Sequence, residues 1–171
     1  MDGVIDAELL GWLLEEHGPA LALYASQWTN SAEDCVQEAL VELARQRRQP
    51  DHVVAWLYRV VKNRALNDAR GNRRRRRRET QVIADRFVGC RGSDADRVEI
   101  IAATEALGRL EIAERELVIM RIWGGLTYEE IGAATNVSIA TAHRQYERAL
   151  TKLRTLLESP CSTNKNNTNT N

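Results

Sequence analysis

The stretch LTYEEIGAATNVSIATAHRQYERALTKLRTLL, residues 126–157, leaves this chain few choices of fold. Thr127 precedes Glu130 by three, the spacing of a capping box, and opens a helix from Tyr128 to about Ala134. That helix is barely two turns long. Thr135, Asn136 and Val137 follow, and Ser138 then offers a second N-cap. A short helix, a tight turn and a longer helix make a helix-turn-helix. Gly132 is small where the two helices must cross, and Asn136 stands where the turn needs a left-handed residue. Val137, Ile139, Ala142, Tyr146, Ala149, Leu150 and Leu153 form a helical stripe expected to face inward. Ala140, Thr141, His143, Arg144, Gln145, Glu147 and Arg148 are left outward. The outward set suits a major groove: Arg144 for guanine, Gln145 for adenine, Thr141 for phosphate or a thymine methyl. A helical hairpin with a merely wetted face is the plain alternative. Two caps, the small crossing residue and the turn asparagine favour the helix-turn-helix over it.

The rest of the chain also reads as helices. Asp6 to His17 has a leucine stripe, and Gly18-Pro19 is expected to break it before a second helix through Leu21, Tyr24 and Trp28. Ser31 and Asp34 resemble another capping box, opening a helix from about Ala32 to Arg48. Val36, Ala39, Leu40 and Leu43 share its apolar face, with Gln37, Glu38, Val41 and Glu42 largely off it. A long helix starts near His52, with Trp56, Leu57, Val60, Val61 and Leu66 as its apolar set and Arg59, Lys62, Arg64 and Arg70 elsewhere. Residues 79–95 lose all period and read as a linker. Helices resume from about Asp94 to Arg109 and from Ala113 to Trp123, where Gly124-Gly125 stops the second. The expected class is all-α: a helical domain over 1–78, the linker, a helix-turn-helix domain over 96–158, and a disordered polar tail over 159–171.

Charge is distributed unevenly. The chain is formally neutral, yet six of its 24 Lys and Arg form one run, Arg73 to Arg78, and none precedes Arg45. Such a run repels itself and needs solvent or a polyanion beside it. It continues a helix that also holds Trp56, Tyr58, Arg59, Lys62 and Asn63. Rings beside cations suit single-stranded nucleic acid, the rings for bases and the cations for phosphates. Trp56 fits core packing and base contact equally well.

Other chemistry finds little support. Cys35, Cys90 and Cys161 fit neither a disulfide framework nor a metal-ligand spacing. Cys35 reads as a buried structural thiol sooner than a redox sensor. His17, His52 and His143 have no acidic or thiol partner in a catalytic pattern, and no phosphate-cradling glycine motif occurs. No enzyme, cofactor or metal is expected. The acidic opening residues are unlike a secretory leader and no apolar run suits a membrane span, so a cytoplasmic protein is expected.

In order along the chain, AEDCVQEALVELARQ, AWLYRVVKNRALNDARGNRRRRRRE and LGRLEIAERELVIMRIWGGLTYEEIGAATNVSIATAHRQYERALTKLR resemble the sigma-70 family of bacterial RNA polymerase sigma factors, in its small extracytoplasmic-function (ECF) group. The resemblance spans about Leu9 to Leu157. It implies a factor that binds core RNA polymerase, at the β′ clamp helices and the β flap, and directs initiation at promoters. Asp34, Gln37, Glu38 and Val41 match the polymerase-docking segment. Arg48, Trp56, Arg59, Lys62, Asn63, Arg70, Arg73 and Arg74 match the −10 and single-strand segment, and residues 47–52 the loop that captures a flipped base. Thr127, Ser138, Ala140, Thr141, His143, Arg144, Gln145 and Arg148 match the −35 reader. Promoter DNA, duplex and melted, and an anti-sigma protein are the implied further partners. The rivals are a stand-alone helix-turn-helix regulator and a helical adaptor that binds no specific DNA.

Overall fold

The computed structural model describes residues 5–75 and 105–158. Among these residues every regular element is helical. The N-terminal half comprises α1 (Ala7–Ala25), α2 (Ala32–Ala44) and α3 (Val53–Arg75). A short helix at 105–109 precedes α4 (Ile112–Val118), which runs into a π-helical turn, Ile119–Trp123. Then come α5 (Tyr128–Thr135) and α6 (Ile139–Glu158). The expected linker, the tail and Arg76 to Arg78 lie outside the described residues, as do Cys90 and Cys161.

Gly18-Pro19 does not break α1, which passes straight through Pro19. Proline within a helix removes one backbone bond. Burial outweighs that loss here: Leu13, Ala20, Leu21, Tyr24 and Ala25 are all buried on this one helix. The Ser31–Asp34 cap is also absent, because the Ser31 side chain makes no capping bond. The buried Thr29 hydroxyl takes over the turn. It accepts from the Ser31 N–H at 3.0 Å and donates to Asp68 on α3, so α2 is positioned by a tertiary bond. α2 ends at Ala44, short of the expected Arg48, and α3 runs on past Gly71-Asn72.

Val36, Ala39, Leu40 and Leu43 are buried as expected, and Cys35 joins them. Burial pushes the Cys35 thiol upward, away from the reactive thiolate, in keeping with a structural cysteine. On α3 the buried residues are Ala55, Leu57, Tyr58, Val61 and Ala65, while Trp56, Val60 and Leu66 are half-buried. Tyr58 therefore leaves the nucleic-acid face on which the sequence placed it. Its ring packs edge-on against Tyr24, centroids 4.9 Å apart.

The two halves share a continuous apolar core. α3 packs on α5 and α1 on the π turn. In the C-terminal half Arg115 closes the 105–109 helix. Its guanidinium donates to the carbonyls of Leu107, Gly108 and Leu110 at 2.7–2.9 Å, a cation on the end where helix carbonyls are unpaired.

Candidate nucleic-acid interface

The helix-turn-helix takes the form its residues dictate. The Thr127 hydroxyl accepts from the Glu130 N–H at 3.2 Å, and Glu130 accepts from the Thr127 N–H at 2.8 Å, so both halves of the capping box are made. Asn136 has φ 60°, ψ 42°, the left-handed conformation the turn requires. Gly132 is the crossing point, since a β-carbon there would lie 2.7 Å from the Val137 carbonyl oxygen. Ser138 caps α6, accepting from the Thr141 N–H at 3.2 Å.

Ser138 at the start of α6, and Ala140, His143, Arg144, Gln145 and Arg148 on it, are exposed, with Thr141 half-buried. Ala142, Tyr146 and Ala149 turn inward. Ile139 departs from the expected stripe: it is 55 % exposed at the tip of the recognition helix. There it precedes Ala140 and Thr141, where apolar contact with a thymine methyl is available.

His143 is held in place. Its ring meets the edge of Tyr128, centroids 4.8 Å apart, and Nε2 lies 4.0 Å from Glu147 Oε1. Tyr128 is in turn held by Tyr146 at 5.8 Å and by the Arg121 guanidinium at 4.9 Å. Arg121 is fixed by donating to the Leu126 carbonyl at 2.7 Å. The sequence showed none of this relay, because Arg121 and Tyr128 meet through the π turn. Arg144 carries no such tether and points to solvent. Its replacement by Ala is expected to cost about 1–3 kcal/mol of discrimination at one base pair. Titrating single-base variants of a bound duplex measures it. A uniform loss over all variants would make Arg144 a phosphate contact.

A second surface lies on α3. Arg59, Asn63 and Arg70 are exposed, Trp56 and Lys62 half-buried, and Arg48 is exposed in the loop before the helix. Arg73 and Arg74 fall on the last turn of α3. The third surface is on α2. Asp34, Gln37, Glu38 and Val41 are all exposed and, at this spacing, share one face. Arg64 of α3 holds the acidic side in position through Glu38 and through Glu42 at 2.5 Å.

Lys62 has partners that its sequence context did not announce. Its ammonium is 2.6 Å from Glu116 Oε1 and 5.5 Å from the Trp28 ring centroid. Glu116 is 5 % exposed, and burial pushes its carboxyl above the ordinary glutamate range despite the lysine. A carboxyl raised on folding adds stability that is complete below its unfolded value and lost as pH climbs through the raised one. Glu116→Gln is therefore expected to melt above the parent at pH 8, with the gap narrowing towards pH 5. A constant gap in thermal scans would contradict this.

Among the described residues no helix is long and apolar enough to cross a membrane, and no cluster suited to a metal ion occurs. Comparison with known proteins assigns both halves. Residues 13–75 match the model of Sigma-70 region 2, and residues 100–153 that of Sigma-70, region 4, together about two thirds of the chain. The RNA polymerase sigma factor NccH of Alcaligenes xylosoxydans xylosoxydans is 26% identical over 90% of this chain and 89% of its own length. The ECF RNA polymerase sigma factor RpoE of Cereibacter sphaeroides is 26% identical over 73% of this chain and 71% of its own. The solved structure of CnrH in complex with the cytosolic domain of CnrY is similar in fold, with TM-score 0.60, 26% identity and 91% of each chain covered.

Proposed function

The chain belongs to the sigma-70 family of RNA polymerase sigma factors, in its ECF group, and from that premise we propose how its three surfaces divide the work of transcription initiation. The α2 face, with Asp34, Gln37, Glu38 and Val41, docks on the β′ clamp helices of core RNA polymerase. α6 enters the major groove of the −35 element through Ala140, Thr141, His143, Arg144, Gln145 and Arg148, while the exposed caps Thr127 and Ser138 sit against phosphates. α3 takes the −10 element as it melts. Asn63 and Arg59 contact the displaced strand, Trp56 offers a half-exposed ring for stacking, and Arg48 flanks the loop that receives a flipped base. Flipping costs a few kcal/mol, which a ring and neighbouring cations offset. Arg70, Arg73 and Arg74 follow the phosphates.

The single observation that carries this reading is the separation of charge. An acidic, partly apolar face is exposed on α2, and basic residues are exposed on α3 and α6. Polymerase and promoter can then be held at once, and the neutral total is the sum of two surfaces of opposite sign. The bond-making chemistry belongs to the polymerase. The site of action is the cytoplasm, where polymerase and promoters are. An anti-sigma protein is the third partner; the similar CnrH is likewise held by a second protein, the cytosolic domain of CnrY.

The test mixes the purified chain with core RNA polymerase lacking any sigma factor and maps run-off transcripts from genomic fragments. A discrete set of start sites is expected. No association with core, alongside tight sequence-specific duplex binding by the chain alone, would make it a stand-alone regulator instead.

A further inference from the structure

Glu147 is the one acidic residue on the outward face of α6 between Ala140 and Arg148. It lies four residues after His143, three after Arg144 and seven after Ala140, so it shares a helical face with these reading residues. Its side chain is 58 % exposed. Acids on the neighbouring helices have structural partners. Glu130 closes the Thr127 capping box, and Glu114 holds Lys152 at 2.5 Å. Among the described residues the one ionisable partner of the Glu147 side chain is His143, with Nε2 at 4.0 Å. We propose that Glu147 is a specificity-determining residue of the −35 reader and accepts a hydrogen bond from the exocyclic amine of a cytosine. The proposal rests on α6 being the −35 recognition helix.

Charge and chemistry both point to the base. A carboxylate carried into a groove between two phosphate strands lowers affinity for every duplex alike. A base contact offsets that loss at one sequence only, which is how an acid can sharpen selection. An ionised carboxylate accepts and cannot donate. Two bases offer an amine in the major groove, adenine at N6 and cytosine at N4. Adenine sets its N7 lone pair beside the amine, where it repels a carboxylate, and cytosine does not. The guanine of the same pair offers O6 and N7 to a guanidinium, and Arg144 and Arg148 flank Glu147 on α6. One C·G pair can thus engage the acid and a neighbouring cation together. The acid is also placed. His143, whose ring is held at 4.8 Å by Tyr128, stands beside Oε1, which leaves Oε2 to the groove.

The experiment selects duplexes from a randomised pool with the full chain, then titrates single-base variants of the selected site. One C·G pair is expected whose replacement lowers parental affinity by about tenfold, the effect of one charge-assisted hydrogen bond. In Glu147→Ala that factor should fall below about twofold, while factors at the other pairs stay parental. The variant should also bind the replaced duplexes about threefold more tightly, because a negative charge has left the phosphates. Glu147→Gln presents an amide that suits N6 and N7 together, so preference at the same pair should move towards adenine. A 2-pyrimidinone nucleotide in place of the cytosine removes the amine alone. It should weaken the parent about tenfold more than it weakens Glu147→Ala, a difference from which any change in base pairing cancels. A uniform gain across all duplexes in Glu147→Ala, with every factor intact, would make Glu147 a wetted acid and overturn the proposal. Unchanged affinity throughout would do the same. Selection of no common sequence by the parent would remove the −35 reading and the proposal together, so the two failures are told apart.

Discussion

Gly132→Val is expected to abolish −35 recognition and to destabilise the chain by about 3 kcal/mol, the upper range for forcing atoms into a packed site. The new β-carbon would stand 2.7 Å from the Val137 carbonyl oxygen and 3.7 Å from the Ile139 nitrogen. Both are backbone atoms, so no side chain can rotate away. The Gly132 carbonyl also accepts from the Val137 N–H at 3.1 Å, which ties the crossing to the turn. Relief requires α6 to move off α5, and α6 carries the reading residues. Denaturant unfolding and duplex titration measure the two losses. Gly11→Ala is the contrast, because Gly11 is exposed on α1 with open space about it. It should gain about 0.5–1 kcal/mol from helix propensity alone. Parental stability and duplex affinity in Gly132→Val would mean that the crossing is looser than its geometry.

The contrast between local and tertiary effects also explains what could be read from the sequence. The caps at Thr127 and Ser138, the left-handed Asn136 and the small Gly132 are all local requirements, each met within seven residues, and all were legible. The stripe Val36, Ala39, Leu40 and Leu43 was legible because helical period fixes a face. The misses are tertiary. Pro19 stays inside α1 because the helix buries residues on both sides of it. Ser31 loses its cap to a bond between Thr29 and Asp68, 39 residues apart. Ile122, apolar and within the expected helix from Ala113 to Trp123, is nonetheless 50 % exposed, because the π turn adds a residue per turn and rotates the later side chains outward. Among the candidate site residues, exposure of the α2 and α6 faces followed from period. The engagement of Lys62 did not, because Glu116 is 54 positions away and nothing local marks it as a partner.

Val41→Lys is expected to lower affinity for core polymerase by more than about 30-fold, some 2 kcal/mol, while leaving the fold intact. Val41 is 49 % exposed, although its helix buries aliphatic residues one position away at Leu40 and two positions away at Leu43. An exposed valine bounded by Gln37, Glu38 and Glu42 is an apolar centre within an acidic rim, the usual anatomy of a docking patch. A lysine there has room in the free protein, so unfolding should shift by less than about 0.5 kcal/mol. In the complex the same ammonium must lose water at the centre of the interface and oppose the cationic surface that an acidic face selects. Val41→Ala separates the two effects, because it removes apolar area without adding charge and should cost well under half as much. Binding of each variant to core polymerase, followed by run-off transcription, orders them. Equal affinity of Val41→Lys and the parent would move the docking surface off this face of α2, and the acidic front of the chain would then need another partner.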